Sequence, residues 1–345
     1  MLILTLLAFL PLASANLVPL SLFGSSETLY RVSTASRVFV ISNSSQDVMQ
    51  SLSLSTGIGG QNSDGYTLSI PQSDGSLIPL HSTSDNDLLS VTYSGSTPLT
   101  GWLYISNVSS TVNVFPLKDD SVISYKSGIN VFFRMGMNTE KIPVAENVVV
   151  SSNVDLSGFV GLPDDANPVQ FFGTAQIPWV NFYKQLELPM QMFYFTSSGS
   201  SINYEVKYSD RSGMAIGSAG LVMTNDFPSG AFSTEEFSFT NTENAEIEMY
   251  FVPRLDKTKA YGGNVTYFDT SDVPTVVPIV SIADSNFTAT AVLSRVVIEA
   301  DGPFAVQYTF KDLSITTPAP VITTTMSSSI PQLLVSLLVA AFLKF

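Results

Sequence analysis

Alternation of apolar and polar side chains is the main pattern of this sequence. In segment 188–208, a short apolar run is followed by a polar turn and then by a stretch in which every second residue is apolar. Such alternation places every second side chain on the same face of a sheet. The segment therefore predicts two β-strands joined as a β-hairpin by a glycine-containing loop.

The same arrangement of strand, polar turn and alternating strand occurs in three further segments. They are 103–115, 237–251 and 296–310. The copies share a pattern more than residue identities, so internal duplication and the general similarity of β-hairpins are both open interpretations. Because no segment has the periodicity of an amphipathic helix, the sequence predicts an all-β protein.

The strand-rich part of the chain predicts two or three antiparallel β-sandwich modules in tandem. Their expected ranges are 16–120, 121–210 and 211–314. Trp179 and Phe182 come shortly before the hairpin of the second module. Both are large apolar residues, and we predict that they lie in its core.

The composition is that of a protein with large apolar cores and a weakly charged surface. Of its 345 residues, 45% are hydrophobic and only 13% are charged. The net charge of −14 disfavours nucleic acids and anionic membranes as electrostatic partners. The chain has no cysteine, which excludes disulfides, thiolate metal sites and a cysteine nucleophile.

The first 15 residues predict a signal peptide. They form a short apolar stretch that ends in Ala13, Ser14 and Ala15, a small-x-small cleavage pattern. The stretch is too short to span a bilayer, which disfavours a membrane anchor. Asn16 is then expected to be the first mature residue of a chain on the secretory route.

The C-terminal part predicts attachment to a membrane through a GPI lipid. Residues 315–329 are rich in Ser, Thr and Pro, which indicates a stalk without a core. Residues 330–345 form an apolar tail that is shorter than a bilayer crossing. Small residues before such a tail fit a GPI signal, although the polar spacer is short, and a secreted protein with an apolar tail is the alternative. The candidate attachment residues are Ser327, Ser328 and Ser329.

Four N-x-Ser/Thr sequons predict N-linked glycans. They lie at Asn43, Asn107, Asn264 and Asn286. Asn107 is in a predicted hairpin turn and Asn264 is beside a glycine turn. Together with the two terminal segments, the sequons predict a protein on the extracellular face of the plasma membrane or in the secreted fraction.

The sequence does not predict a catalytic centre, a metal site or a cofactor. His81 is the only histidine and no G-x-S-x-G elbow accompanies it, so a loop residue is favoured over a Ser-His-Asp triad. The adjacent acids Asp119-Asp120 and Asp164-Asp165 are interpreted as solvated turn residues. A carboxylate pair for glycoside hydrolysis is left open, because spacing in space is not visible in a sequence.

Two loops invite a ligand-binding interpretation that their spacing does not support. The glycine-rich segment 57–65 lacks the G-x-G-x-x-G spacing and predicts a flexible loop rather than a phosphate cradle. Asp85-Asn86-Asp87 lacks the glycine and the downstream glutamate of a calcium loop. We interpret it as an exposed turn.

These observations favour a non-enzymatic recognition or adhesion protein whose ligand is an extracellular protein or glycan. Loops on a rigid sandwich vary freely, which favours binding. Tyr194, Tyr261 and Tyr267 are candidates for stacking on sugars or partner side chains, with core packing as the favoured alternative. A structural coat glycoprotein and an extracellular hydrolase are the competing hypotheses.

Three of the predicted hairpins resemble the closing hairpin of CUB domains, in which an apolar strand leads through a Ser/Asp/Gly turn to an aromatic alternating strand. They read LPMQMFYFTSSGSSINYEVKYSD, RVVIEADGPFAVQYTF and LTGWLYISNVSSTVNVF. With its signal peptide, stalk and tail, the chain is similar to the nematode CUB-like family of secreted or GPI-anchored proteins. The resemblance implies jelly-roll-type sandwiches at the cell surface and a connection with host defence and innate immunity. The cysteine pairs and the acidic calcium cluster of ordinary CUB domains are not found here, so calcium binding is not implied.

Overall fold

A computed structural model describes most of the chain between residues 17 and 312. The described residues are 17–57, 61–85, 87–136, 140–214, 217–229, 233–238, 245–251, 263–269, 271–279, 286–291 and 293–312. The predicted signal peptide, stalk and tail, with Ser327, Ser328 and Ser329, lie outside the described residues, as does Tyr261. The regular structure is almost entirely β-strand, so the all-β prediction is confirmed.

The N-terminal third of the chain combines short strands with two short α-helices. The strands are β1 (Leu17–Pro19), β2 (Thr28–Val32), β3 (Arg37–Ile41), β4 (Leu52–Thr56), β5 (Asn62–Asp64), β6 (Leu80–His81), β7 (Asp87–Tyr93), β8 (Trp102–Ser106) and β9 (Val112–Leu117). The helices are α1 (Gln46–Met49) and α2 (Gly65–Ser69), with a 3-10 turn at Leu20–Leu22. The loop predicted over 57–65 is therefore partly wrong. Asp64 accepts a hydrogen bond from the Thr67 amide at 2.6 Å and so caps α2.

The rest of the described chain is formed by longer strands. The strands up to residue 209 are β10 (Val122–Ser124), β11 (Ile129–Arg134), β12 (Ile142–Val150), β13 (Leu156–Val160), β14 (Val169–Gly173), β15 (Phe182–Glu187), β16 (Met192–Ser197) and β17 (Ile202–Ser209), with a 3-10 turn at Thr174–Gln176. The later strands are β18 (Ala219–Met223), β19 (Ser233–Ser238), β20 (Ala245–Phe251), β21 (Gly263–Asp269), β22 (Pro274–Ile279), β23 (Asn286–Ala291), β24 (Leu293–Ala300) and β25 (Ala305–Asp312).

The described strands form five sheets, which we number along the stack that they build. Sheet 1 has the order β2-β7-β4-β5, and sheet 2 has the order β1-β8-β3-β6. Sheet 3 has the order β14-β13-β16-β11-β9. Sheet 4 has eight strands in the order β10-β17-β12-β15-β18-β25-β20-β23, and sheet 5 has the order β19-β24-β21-β22.

Strands in the middle of this stack are buried on both faces. On β3, Val38 and Val40 pack in the core between sheets 1 and 2, whereas Phe39 and Ile41 pack in the core shared with sheet 3. This explains why β3 reads as a continuous apolar run instead of an alternating one.

Aromatic side chains fill the core between sheets 3 and 4. The ring of Phe132 stacks on Phe193 at a centroid distance of 5.1 Å and on Phe115 at 5.2 Å.

Sheet 4 also contributes to a second core on its other face. Leu221 belongs to the core between sheets 3 and 4, while its neighbour Val222 packs in the core shared with sheet 5. The five sheets are thus joined by four successive cores.

Strand pairing also crosses the predicted module boundaries. β9, from the range 16–120, pairs in parallel with β11 in sheet 3. In sheet 4, β15 and β18 pair in parallel at Leu186 and Leu221, on either side of residue 210. The sandwich architecture agrees with the sequence, and the number of separate modules stays a prediction.

The four predicted hairpins contain the expected strands but not the expected pairing. β16 lies in sheet 3 and β17 in sheet 4; likewise β8 lies in sheet 2 and β9 in sheet 3. β19 and β24 lie in sheet 5, and the strands that follow them, β20 and β25, lie in sheet 4. The prediction of hairpins is therefore wrong at all four positions. Each pair is a β-arch, in which the chain crosses from one sheet to the next.

The loop between β16 and β17 shows why this arch forms. Ser198 donates its backbone N–H to the carbonyl of Asp155 at 3.0 Å, and its hydroxyl accepts from the Asp155 N–H at 2.8 Å. The loop is thereby tied to a different segment instead of closing its own ladder. Alternation shows only which side chains share a face of the strand. In an arch and in a hairpin alike, the apolar face points to a core, so alternation does not distinguish the two.

Candidate functional site

One part of sheet 4 presents a row of exposed side chains to the surface. Along β17, buried residues alternate with exposed or half-exposed ones, and the buried ones pack against sheet 3. β12 and β15 lie beside it in the same sheet. We use the term open face for the outward-facing residues of these three strands together with the tryptophan before β15. They are Glu146, Val149, Trp179, Phe182, Lys184, Asn203, Glu205 and Lys207.

Large apolar side chains form the centre of the open face. Val149 lies directly opposite Phe182 on one side and opposite Asn203 on the other. Residues opposite each other on neighbouring strands have Cβ atoms about 4.5–5.5 Å apart, so the three side chains form a continuous row. Val149 is 44% exposed, Phe182 45% and Trp179 57%.

The prediction that Trp179 and Phe182 lie in the core is therefore wrong. On β15, Tyr183 is buried, whereas Phe182 and Lys184 are exposed. Phe182 thus shares a face with a lysine, and this alternation was the signal in the sequence that it points outward. Trp179 lies in the short turn before the strand, where Val180 donates its N–H to the carbonyl of Ile177 at 3.0 Å.

One ion pair lies beside the apolar row. The Lys207 ammonium lies 2.8 Å from a carboxylate oxygen of Glu146. The hydrogen bond to Glu146, reinforced by its charge, raises the pKa of Lys207. Glu205 lies opposite Glu146, and Lys184 is on β15, so the open face has two acidic and two basic residues and no net charge. This suits a ligand held by apolar contact and hydrogen bonds.

The adjacent acids Asp164 and Asp165 both accept hydrogen bonds, but only Asp164 joins distant segments. Asp164 accepts a hydrogen bond from the Tyr104 hydroxyl at 2.5 Å and another from the Asn107 backbone N–H at 3.0 Å. Asp165 accepts from the Leu162 backbone N–H at 2.8 Å. Burial, and then the hydrogen bond to Asp164, raises the pKa of Tyr104 well above its usual range. Asp164 is therefore a half-buried connector between distant segments, and the prediction of a solvated turn residue is wrong for it. Asp165 caps its own turn, as predicted, but is half-buried.

Two of the three tyrosines weighed as stacking residues belong to the cores. Tyr194 is buried, and its ring stacks on Phe159 at 5.0 Å. Burial, and then the nearby carboxylates of Asp165 and Asp164, raise the pKa of Tyr194 to about 12. Tyr267 is half-buried against the core between sheets 4 and 5. The interpretation as core residues is confirmed for Tyr194.

The other residues considered for chemistry lie in different local settings. His81 is exposed on β6 opposite Arg37, and Asp119 is exposed in a turn with Asp120. Asp87 is buried and accepts a hydrogen bond from the Ser82 hydroxyl at 3.0 Å, so the prediction of an exposed turn is wrong at this residue. Within the described part of the chain, no group of three or more His, Asp or Glu side chains could hold a metal ion.

The sequons lie in different environments. Asn107 is exposed in the arch between β8 and β9, and its side-chain oxygen accepts a hydrogen bond from Ser36 at 2.6 Å. Asn43 is also exposed, but its side-chain amide donates to the Met135 carbonyl at 2.7 Å. Asn264 is half-buried on β21, and Asn286 begins β23. Of the two exposed sequons, Asn107 is therefore the one whose hydrogen bond uses the side-chain oxygen and not the amide nitrogen to which a glycan is attached.

Comparison with known proteins does not assign this chain to a family. No protein-family model matches it, and no curated protein matches it. Neither helix in the described part of the chain has the length and hydrophobicity that a bilayer crossing requires.

Proposed function

We propose that the chain is a non-enzymatic extracellular recognition or adhesion glycoprotein that binds a protein or glycan through the open face. The exposure of Trp179, Phe182 and Val149 carries the proposal. Neighbouring exposed apolar side chains, such as the opposite residues Val149 and Phe182, mark interaction sites on protein surfaces. Tryptophan in particular is enriched among the residues that contribute most to binding, and its ring suits both protein pockets and the C–H faces of sugars.

The roles of the acids support binding without turnover. A glycoside hydrolase needs two carboxyl groups that face one substrate. Asp164 and Asp165 instead accept hydrogen bonds from Tyr104 and from backbone N–H groups. The extracellular hydrolase is thus the less favoured alternative, and a coat glycoprotein without a specific ligand is the other.

The proposal includes display at the cell surface. The signal peptide, the sequons and the tail support secretion followed by GPI attachment at Ser327, Ser328 or Ser329. By its resemblance to the nematode CUB-like family, the protein would act in host defence. A phosphatidylinositol-specific phospholipase should release the protein from intact cells. Retention on the cells, with Lys344 and Phe345 detected by mass spectrometry, would contradict GPI attachment.

A binding screen with the ectodomain, residues 16–314, tests the recognition function. The screen uses panels of glycans and of extracellular proteins and compares the wild type with the double variant Trp179→Ala/Phe182→Ala. The matched control is Val273→Ala/Val276→Ala, which shortens two apolar side chains that are each 56% exposed outside the open face. We expect a saturable ligand without turnover that is lost only in the first variant. Equal binding by all three proteins, or no saturable ligand, would contradict the proposal.

A further inference from the structure

A small cleft lies between the turn 72–76 and segment 122–126. Its volume is about 280 Å3, and it is lined by Ser73, Asp74, Val122, Ser124, Tyr125 and Lys126. We propose that this cleft binds a single neutral sugar ring. The cleft borders the open face, because Val122 and Ser124 lie opposite Lys207 and Glu205 of β17. The proposal goes beyond the recognition function in naming a ligand, and it can fail separately because variants of Asp74 and Lys126 leave Trp179 and Phe182 unchanged.

Backbone hydrogen bonds fix the shape of the turn 72–76, and Gly75 lets the turn pack closely against β10. In the turn, Gln72 donates its N–H to the Ser76 carbonyl at 2.8 Å, and Gly75 donates to the Gln72 carbonyl at 2.9 Å. Gly75 has a φ of +83°, and a Cβ atom added there would lie 2.3 Å from the side chain of Ile123. Glycine permits both this backbone conformation and the close approach to β10.

The charged groups of the cleft are paired with each other. The Lys126 ammonium lies 2.6 Å from one oxygen of Asp74 and 3.1 Å from the Ser76 hydroxyl. The other oxygen of Asp74 accepts from the Ser76 hydroxyl at 2.6 Å and from its backbone N–H at 3.0 Å. The cleft therefore carries no net charge, although it is rich in hydrogen-bonding groups.

Other groups in the cleft are available to a ligand. The hydroxyls of Ser73 and Ser124 have no hydrogen-bond partner among the residues that the structure describes. Val122 is 58% exposed and provides an apolar surface. The half-buried ring of Tyr125 is fixed by an edge contact with Tyr204 at 5.4 Å.

This combination of size, neutrality and hydrogen bonding favours one sugar ring. The volume lies just below the range of about 300–1,000 Å3 that is typical of sites for drug-sized ligands. Sugar hydroxyls both donate and accept hydrogen bonds. They can therefore bond to the donor and acceptor positions of Lys126, Asp74 and the two serines that the contacts within the protein leave unused. The C–H face of a sugar can lie on Val122 and Tyr125. An anionic ligand would approach a chain with a net charge of −14.

Titration with free monosaccharides, followed by saturation-transfer NMR, tests this proposal. The probes are glucose, galactose, mannose, N-acetylglucosamine and, as an anionic comparison, glucuronate. Protein secreted from eukaryotic cells is compared with the same protein after removal of its N-glycans. We expect saturable binding of at least one neutral sugar, with a Kd on the order of millimolar. Binding only after glycan removal would identify the protein's own glycan as the occupant and would support the same ligand chemistry.

Variants decide whether the cleft is the site. Asp74→Asn and Lys126→Met each remove a charged hydrogen-bonding group and are expected to raise the Kd about tenfold or more. Asp272→Asn is the matched control, since Asp272 forms an exposed ion pair with Arg295 at 3.1 Å away from the cleft. Thermal unfolding shows that each variant is folded. No saturable neutral sugar in either preparation, an unchanged Kd in both cleft variants, or equal affinity for glucuronate would overturn the proposal.

Discussion

Thr196 on β16 lies directly opposite Ser157 on β13, and not opposite Asn203 across its own turn. Asn203 on β17 lies opposite Val149 of β12, in a different sheet. The two strands that flank this turn thus face each other across a core.

Engineered cysteines can distinguish this arch from a hairpin, because the chain has no native cysteine. Residues directly opposite on paired strands have Cβ atoms about 4.5–5.5 Å apart, close to disulfide geometry. We expect Ser157→Cys/Thr196→Cys to oxidise to an intramolecular disulfide, which mass spectrometry of the alkylated protein detects. Thr196→Cys/Asn203→Cys is the control, because a hairpin would place those two residues opposite each other. A disulfide in the control and free thiols in the first variant would contradict the arch.

The strands could be predicted from the sequence, but their partners could not. Alternation on β17 and the apolar runs of β9 and β11 reflect how each strand is buried, and burial is a local property of the pattern. Pairing depends on contacts between distant segments. A loop of four residues at 198–201 is compatible with a hairpin or with an arch.

The candidate site was missed for a related reason. Apolar side chains are usually buried, so the chemistry of Trp179 and Phe182 alone predicts the core. The alternation of Phe182 with Tyr183 and Lys184 gave the correct face. Trp179 precedes the strand, so no alternating pattern indicates whether its side chain points outward or into the core.

Two phenylalanines in different environments give a direct test of the assigned burial. Phe132 is fully buried between Phe115 and Phe193, whereas Phe182 is 45% exposed. Phe132→Ala leaves a cavity and is expected to lower the free energy of unfolding by about 3–5 kcal/mol. Phe182→Ala is expected to change it by less than about 0.5 kcal/mol. Urea denaturation measures both, and similar losses in the two variants would contradict the burial described here.

The contact between Asp164 and Tyr104 is expected to contribute to stability. Asp164→Ala leaves the buried Tyr104 hydroxyl without its carboxylate acceptor, which should cost about 1–3 kcal/mol in the free energy of unfolding. Tyr104→Phe should cost less, because Asp164 still accepts from the Asn107 N–H. In a double-mutant cycle measured by urea denaturation, Asp164→Ala should be less destabilising when combined with Tyr104→Phe than on its own. Strictly additive effects would exclude an interaction between the two side chains.

Stability at alkaline pH should depend on Tyr194. Its pKa is raised from 10.0 to about 12 in the folded chain, so the unfolded chain releases this proton first as the pH rises. The resulting stabilisation is complete below pH 10 and is lost as the pH rises towards 12. The free energy of unfolding of Tyr194→Phe should therefore fall less steeply with pH in this window than that of the wild type. The control is Phe159→Leu, which disturbs the same ring contact without removing a titrating group. It should keep the wild-type slope of the free energy of unfolding against pH. If this free energy falls equally steeply with pH in Tyr194→Phe and in the wild type, Tyr194 does not have this role.

Fluorescence quenching of Trp179 tests the proposed binding surface most directly. The chain has two tryptophans, and Trp102 is half-buried against Phe133 at 5.9 Å. In the variant Trp102→Phe, the emission therefore reports on Trp179 alone. We predict strong quenching by acrylamide in the free protein and clear protection when the ligand identified by the binding screen is present at saturation. Equal quenching with and without saturating ligand would contradict recognition through the open face.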